Sequence, residues 1–225
     1  MEPKYPPDAY RGFRARLPDW LIGFPSSADQ SRAVRVLALQ PGDCVCDVAC
    51  GSGFNLRRLV RAVGPKGLVI GVEDGTHLLE RSKRKVERAA WENVQLLDDL
   101  DAGRFMRTPV DGIIVSYNPP IFLQRPDLLE AAWETLKPGG RLALVAGRFT
   151  APVFRAAGPL IRLSFRILGH PDDWHYWAVP EPWKHLEELS AGNISVEMRL
   201  GFQYLLWAQK PTGESAGSRM DLVWP

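Results

Sequence analysis

Residues 43–57 read Asp43-Cys-Val-Cys-Asp47-Val-Ala49-Cys-Gly51-Ser-Gly53-Phe-Asn55-Leu-Arg57: an apolar strand, a turn with two glycines and the start of a helix. Cys44 to Val48 is a near-continuous apolar run around one acid, Asp47, the pattern of a central parallel strand covered on both faces. Gly51 and Gly53 allow a sharp turn and a close approach of backbone to a ligand. Leu56, Leu59, Val60 and Val63 then recur at helical spacing, with Arg57, Arg58 and Arg61 on the opposite side. A ligand held by the turn therefore meets a helix N-terminus.

The next signal is Gly67-Leu-Val-Ile-Gly-Val-Glu73-Asp74, a second apolar strand ending in two carboxylates. An acid about 20 residues past the glycine turn lies, in a strand-turn-helix-strand unit, at the ribose hydroxyls of an adenosine ligand. Two cofactor classes share that layout. A dinucleotide turn reads G-x-G-x-x-G, and here the third glycine position holds Leu56, which disfavours nicotinamide cofactors.

Asp47-Val-Ala49-Cys50-Gly51-Ser-Gly53 resembles the D-x-G-x-G-x-G motif of class I S-adenosylmethionine-dependent methyltransferases, with Ala49 in place of the first glycine. The resemblance continues through Glu73, through Leu136-Lys-Pro-Gly-Gly140 ahead of a strand, and through a final hairpin. It implies an α/β fold: a Rossmann-like doubly wound sheet, mostly parallel, with a last antiparallel strand from a C-terminal hairpin. It also implies S-adenosyl-L-methionine as cofactor and S-adenosyl-L-homocysteine as product. Backbone groups from Ala49 and Cys50 through Gly51 to Gly53 would hold the methionine moiety and Glu73 the ribose. The adenine would meet the acid cluster Asp98-Asp99-Leu100-Asp101, where Asp99 is chosen as central, an acid accepting from the adenine amino group being the chemistry required. Asp47, Asn55, Asp74 and Ser116 complete the expected cofactor-binding set.

With 225 residues and 45% hydrophobic content the chain suffices for one substantial core. The expected organisation is an aromatic N-terminal arm over 1–28, one methyltransferase domain over 29–210 with a variable lid-like insert at about 148–180, and a disordered tail over 211–225. A net charge of +2 does not point to nucleic acid. All three cysteines fall between Cys44 and Cys50, which argues against a disulfide framework and, with no second pair, against a metal site. There is no signal-peptide pattern and no apolar run near ~20 residues, so a soluble cytoplasmic protein is expected, with peripheral membrane contact as the alternative.

Ligands of open parallel sheets sit beyond the carboxyl ends of the strands, which directs attention to Ser116-Tyr117-Asn118-Pro-Pro-Ile121-Phe122. Asn118-Pro-Pro resembles the start of the Asn-Pro-Pro-aromatic motif of amide and base N-methyltransferases, although Ile121 stands where the aromatic belongs; a double-proline turn is the plainer reading. Tyr117, Asn118 and His175 are the catalytic candidates, His175 because a histidine near acids can act as general base. Between residues 148 and 180, Arg155, Arg162 and Arg166 share a face of an apolar stretch, read as a substrate wall, a lipid-facing segment or plain packing. The helix from about His77 is expected to turn Leu78, Leu79, Val86 and Ala89 inward and Arg81, Lys83, Arg84, Lys85 and Arg88 outward, a face read as solvated, or as an anion or membrane patch.

The segment order resembles the branch of quinone, phospholipid-headgroup and natural-product methyltransferases, which implies a small, fairly apolar metabolite or lipid-like acceptor. Two other readings stay open: a cofactor-binding protein that transfers no methyl group, and an N-methyltransferase of RNA or protein.

Overall fold

A computed structural model describes residues 27–98, 107–116, 122, 125–147, 158–160, 163, 183–199 and 203–212. The arm before residue 27 and almost all of the 148–180 insert lie outside them. In chain order the elements are α1 (Ser27–Val36), β1 (Cys44–Val48), α2 (Leu56–Val63), β2 (Leu68–Val72), α3 (Thr76–Ala89), β3 (Val94–Leu97), β4 (Val110–Ser116), α4 (Pro126–Thr135), β5 (Leu136–Gly147), α5 (Lys184–Leu189), β6 (Ile194–Arg199) and β7 (Gln203–Gln209).

The strands form one sheet in the order β3-β2-β1-β4-β5-β7-β6. β1 pairs in parallel with β2 on one side and β4 on the other, while β7 runs antiparallel to both β5 and β6. This is the expected doubly wound sheet with its antiparallel strand. The strand order reverses between β1 and β4, so a ligand crevice belongs at their carboxyl ends, where Val48 and Ser116 stand in the last registers.

Strand alternation divides the core. Val45, Val69, Ile114, Ala143 and Val145 point to one face and are covered by Val34 and Leu37 near α1 and by Leu56, Leu59 and Val63 of α2. Cys46, Val48, Ile70, Val72, Val115 and Leu144 point to the other, against Leu128, Leu129, Ala132 and Trp133 of α4 and Leu186 of α5. Burying one such leucine contributes about 2 kcal/mol. Asp47 shares the phase of Val45 and so lies under α2, completely buried.

Three expectations need correction. β5 begins at Leu136, not Arg141, with a register shift opposite Val110 and Gly112 that accommodates Pro138-Gly-Gly. On α3, Ala89 is exposed and the buried face is built from Leu79 and Ser82. Lys85 is half-buried, its ammonium 4.9 Å from the Phe54 ring centroid, whereas Lys83, Arg84 and Arg88 are exposed as expected.

Far from the crevice, polar contacts close the sheet. Asp111 Oδ2 accepts from the Cys44 amide at 2.8 Å and from Lys137 Nζ at 2.7 Å. Lys210 Nζ donates to the carbonyls of Trp133, Glu134 and Leu136 at 3.0, 2.9 and 2.7 Å, a cation on the C-terminal carbonyls of α4. Lys210→Met is expected to destabilise the protein by about 2 kcal/mol, since charge-assisted bonds to otherwise orphaned carbonyls are lost. A urea-unfolding midpoint unmoved by the substitution would show that water replaces the ammonium without loss.

Candidate functional site

After β1 the chain turns through Ala49, Gly51 and Gly53, all at positive φ (55°, 58° and 78°). Ala49 occupies a left-handed position where glycine is free and alanine costs about 1 kcal/mol. Gly53 is required by space as well: a Cβ there would stand 2.7 Å from Leu56 Cδ1 and 3.0 Å from Ser82 Oγ. Leu56, the residue that replaces the third glycine of a dinucleotide turn, is fully buried.

The turn is held from two sides through Gly51. Its N–H donates to Glu73 Oε2 at 2.8 Å, and its carbonyl accepts from Ser82 Oγ at 2.8 Å. Glu73, 4% exposed at the end of β2, accepts through Oε1 from the Gly75 amide at 2.9 Å. Burial raises the Glu73 carboxyl to about 7, against the two amide bonds that lower it, with neighbouring Asp74 raising it further. Asp74 itself is exposed.

Beside the turn lies a second buried acid. Burial raises Asp47 to about 7, opposed by the hydrogen bond from Asn55. Asn55 Nδ2 donates to Asp47 Oδ1 at 3.4 Å and to Ser116 Oγ at 3.1 Å. Asp47 Oδ2 and Asn55 Oδ1 are buried without a hydrogen-bond partner among the described residues. Cys50 is buried and free, its thiol pushed well up by desolvation and then by Asp47 and Glu73. The three cysteines form no disulfide, and no metal-holding cluster occurs among the described residues.

The structure thus brings Asp47, Ala49, Cys50, Gly51, Gly53, Asn55, Glu73 and Ser116 to the carboxyl ends of β1, β2 and β4. Asp98 is exposed just past β3. Asp99, Leu100, Tyr117, Asn118 and His175 lie outside the described residues.

Sequence reasoning missed Ser82. It sits in a run of basic residues, where a small polar side chain reads as part of the solvated face; its helical offset of three from Leu79 was the available signal. Ser82→Ala is expected to weaken ligand binding at this turn roughly fivefold to tenfold, about one hydrogen bond's worth of turn geometry. Calorimetric titration with S-adenosyl-L-homocysteine, the product that the sequence resemblance implies, measures it, and an unchanged constant would mean that Glu73 alone sets the Gly51 peptide.

The crevice suits a ligand that brings a positive charge: buried acceptors predominate, two of them have no hydrogen-bond partner among the described residues, and both acids gain from a nearby cation. A doubly wound sheet of this strand order, with a glycine turn after β1 and a buried acid after β2, defines a class I S-adenosylmethionine-dependent methyltransferase, and S-adenosyl-L-methionine is its cofactor. The family model for Protein-L-isoaspartate(D-aspartate) O-methyltransferase (PCMT) matches residues 25–154, more than half of the chain, and the protein belongs to that family of enzymes.

A protein-L-isoaspartate O-methyltransferase of Methanothrix thermoacetophila is 34% identical over 116 residues, 51% of this chain and 52% of that protein. A 2-phytyl-1,4-naphthoquinone methyltransferase of Nostoc punctiforme is 29% identical over 174 residues, 72% of this chain and 74% of that protein. The chain spans about half the length of the isoaspartate methyltransferases it matches. A crystal structure of an S-adenosylmethionine-dependent methyltransferase from Aquifex aeolicus shares the fold, with a TM-score of 0.60 at 21% identity, covering 92% of this chain and 99% of the other. Among the described residues no helix is long and apolar enough to cross a membrane.

Proposed function

We propose that the protein transfers a methyl group from S-adenosyl-L-methionine to a small, fairly apolar or lipid-like acceptor. The observation that carries the acceptor class is the extent of similarity. The isoaspartate-type match ends at residue 154, soon after β5, and so covers the cofactor half. Likeness to the quinone methyltransferase extends over 72% of the chain and 74% of that protein, against 51% and 52% for the isoaspartate methyltransferase of Methanothrix.

In this reading the turn from Ala49 to Gly53 holds the methionine moiety, Glu73 the ribose hydroxyls, and the acids at Asp98 and Asp99 the adenine. Asp74 lies at the rim. The cofactor supplies an electrophilic sulfonium methyl group. Direct displacement requires the acceptor lone pair in line with the breaking S–C bond, so the chain acts chiefly by orientation and exclusion of water. Tyr117 and Asn118, which follow Ser116 directly, are the acceptor-side candidates, with His175 from the insert as a base for an acceptor that must lose a proton.

A second reading is favoured by the family model and the Methanothrix relative: methyl ester formation on an isoaspartyl carboxylate of a protein. Tritiated methyl label from S-adenosyl-L-methionine, incubated with host-cell extract and partitioned among organic solvent, water and acid precipitate, separates the two. Label in the organic phase is the expected result. Base-labile label confined to the precipitate would establish the protein acceptor instead, and cofactor binding with no transfer would establish a non-methylating role.

A further inference from the structure

We propose that Asn55 is a positioning residue, tying the acid of the cofactor turn, Asp47, to the end of β4 at Ser116, so that the cofactor side and the start of the acceptor side keep one geometry. The inference rests on the reading of this crevice as the S-adenosylmethionine site.

Asn55 stands where an N-cap is expected. Asparagine is among the preferred N-cap residues because its side-chain oxygen can accept from an amide in the first turn. Here Asn55 precedes α2 and makes no side-chain cap hydrogen bond. The side chain instead turns into the protein, 2% exposed, and its amide nitrogen spans Ser116 Oγ at 3.1 Å and Asp47 Oδ1 at 3.4 Å. These groups come from the end of β4 and from β1, the two strands that flank the reversal of the sheet.

The orientation of the amide follows from chemistry. An ionised carboxylate only accepts, so the NH2 group faces Asp47 and Asn55 Oδ1 looks elsewhere. It and Asp47 Oδ2 are the acceptors of the cluster that have no hydrogen-bond partner among the described residues. A leucine of similar size would fill the same space and hold neither strand end.

The groups around Asp47 define how the tie is read out. Cys46 lies on the same strand and Cys50 in the turn, both thiols raised in part by Asp47; Glu73 faces Cys50 from the end of β2. Asn55 and Ser116 are neutral. Burial pushes the Asp47 carboxyl up and the Asn55 bond is what opposes it. Loss of that bond therefore raises the Asp47 midpoint further, and a ligand whose ammonium group is favoured by the ionised acid then binds at more alkaline pH.

The test uses the full chain carrying 13C-carboxyl aspartate, with the Asp47 signal assigned by its loss in Asp47→Asn. Carboxyl titration is followed by NMR without cofactor, and S-adenosyl-L-homocysteine binding by calorimetry over the same pH range. Asn55→Leu is expected to raise the Asp47 midpoint by about one unit, a tenfold change in proton affinity, and to move the pH dependence of binding in the same direction. Ser116→Ala, which releases the amide from β4 while leaving it beside Asp47, is expected to give a smaller rise and carries the test if Asn55→Leu does not fold. An Asp47 midpoint unmoved in the folded variants overturns the proposal. If the midpoint responds while the unaltered protein binds no S-adenosyl-L-homocysteine, the tie stands and the cofactor reading fails.

Discussion

Glu73→Ala is expected to weaken S-adenosyl-L-homocysteine binding by about 100-fold or more. Two losses combine. In the proposed role the carboxylate accepts from the ribose hydroxyls, and hydrogen bonds to a buried charged group contribute about 1.5–3 kcal/mol. The same carboxylate holds the Gly51 and Gly75 amides at 2.8 and 2.9 Å, so its removal also frees the turn proposed to receive the methionine moiety. Glu73→Gln is no gentler in kind: one carboxylate oxygen becomes an NH2 that must face a backbone N–H, donor against donor. Gly75 is part of the arrangement, since a Cβ there would stand 2.8 Å from Glu73 Oε1. Calorimetry on the two variants, with urea unfolding alongside to confirm that they fold, measures the effect. An affinity within threefold of the unaltered protein would place the ribose elsewhere.

Much of this arrangement was legible because glycine and acid spacing is a backbone constraint that survives without side-chain detail. Gly51, Gly53 and Glu73 could be placed on the two strands and their turn from spacing alone, and the final hairpin announced the antiparallel strand through the alternation from Ile194 to Leu200. What spacing does not encode is which way an ambivalent side chain points. Ser82 and Lys85 lie within a basic run, yet one is buried against Gly51 and the other rests over Phe54. Asn55 was placed in the cofactor set without a partner, and only the three-dimensional neighbourhood shows that it forgoes capping to join β1 to β4. The start of β5 was missed because Pro138-Gly-Gly is a helix stop in any local reading, while the irregular pairing opposite β4 is a tertiary matter. For the acceptor side the sequence offers one face carrying Arg155, Arg162 and Arg166 and a cluster of aromatics between residues 148 and 180, a pattern that a substrate wall, a lipid-facing segment and plain packing can each produce.

Asp47→Asn is expected to stabilise the free protein at pH 8 by about 2–4 kcal/mol while weakening cofactor binding, and to flatten the dependence of stability on pH. Asp47 and Glu73 are both held near about 7 by burial, whereas the unfolded chain releases those protons near ~4. Between about pH 4 and 7 the folded state therefore binds more protons than the unfolded one. Stability must fall as pH rises through that window and level off above it. A shift of about three units at ~1.36 kcal/mol each sets a ceiling of about 4 kcal/mol for Asp47, and Glu73, raised to about 7 from a higher ordinary value and in part by Asp74 beside it, adds a smaller amount. Cofactor binding runs the other way: the ammonium and sulfonium charges reward ionised acids, so affinity should strengthen from pH 6 to about 7.5. The site is thus least stable, when empty, under the conditions in which it is best prepared for a cation. Urea unfolding at pH 5 and pH 8 with and without the substitution measures the first half, and calorimetry over the same range the second. If Asp47→Asn lost stability in parallel with the unaltered protein between the two pH values, the proton taken up on folding would belong to another group, and Glu73 would be the one to substitute next.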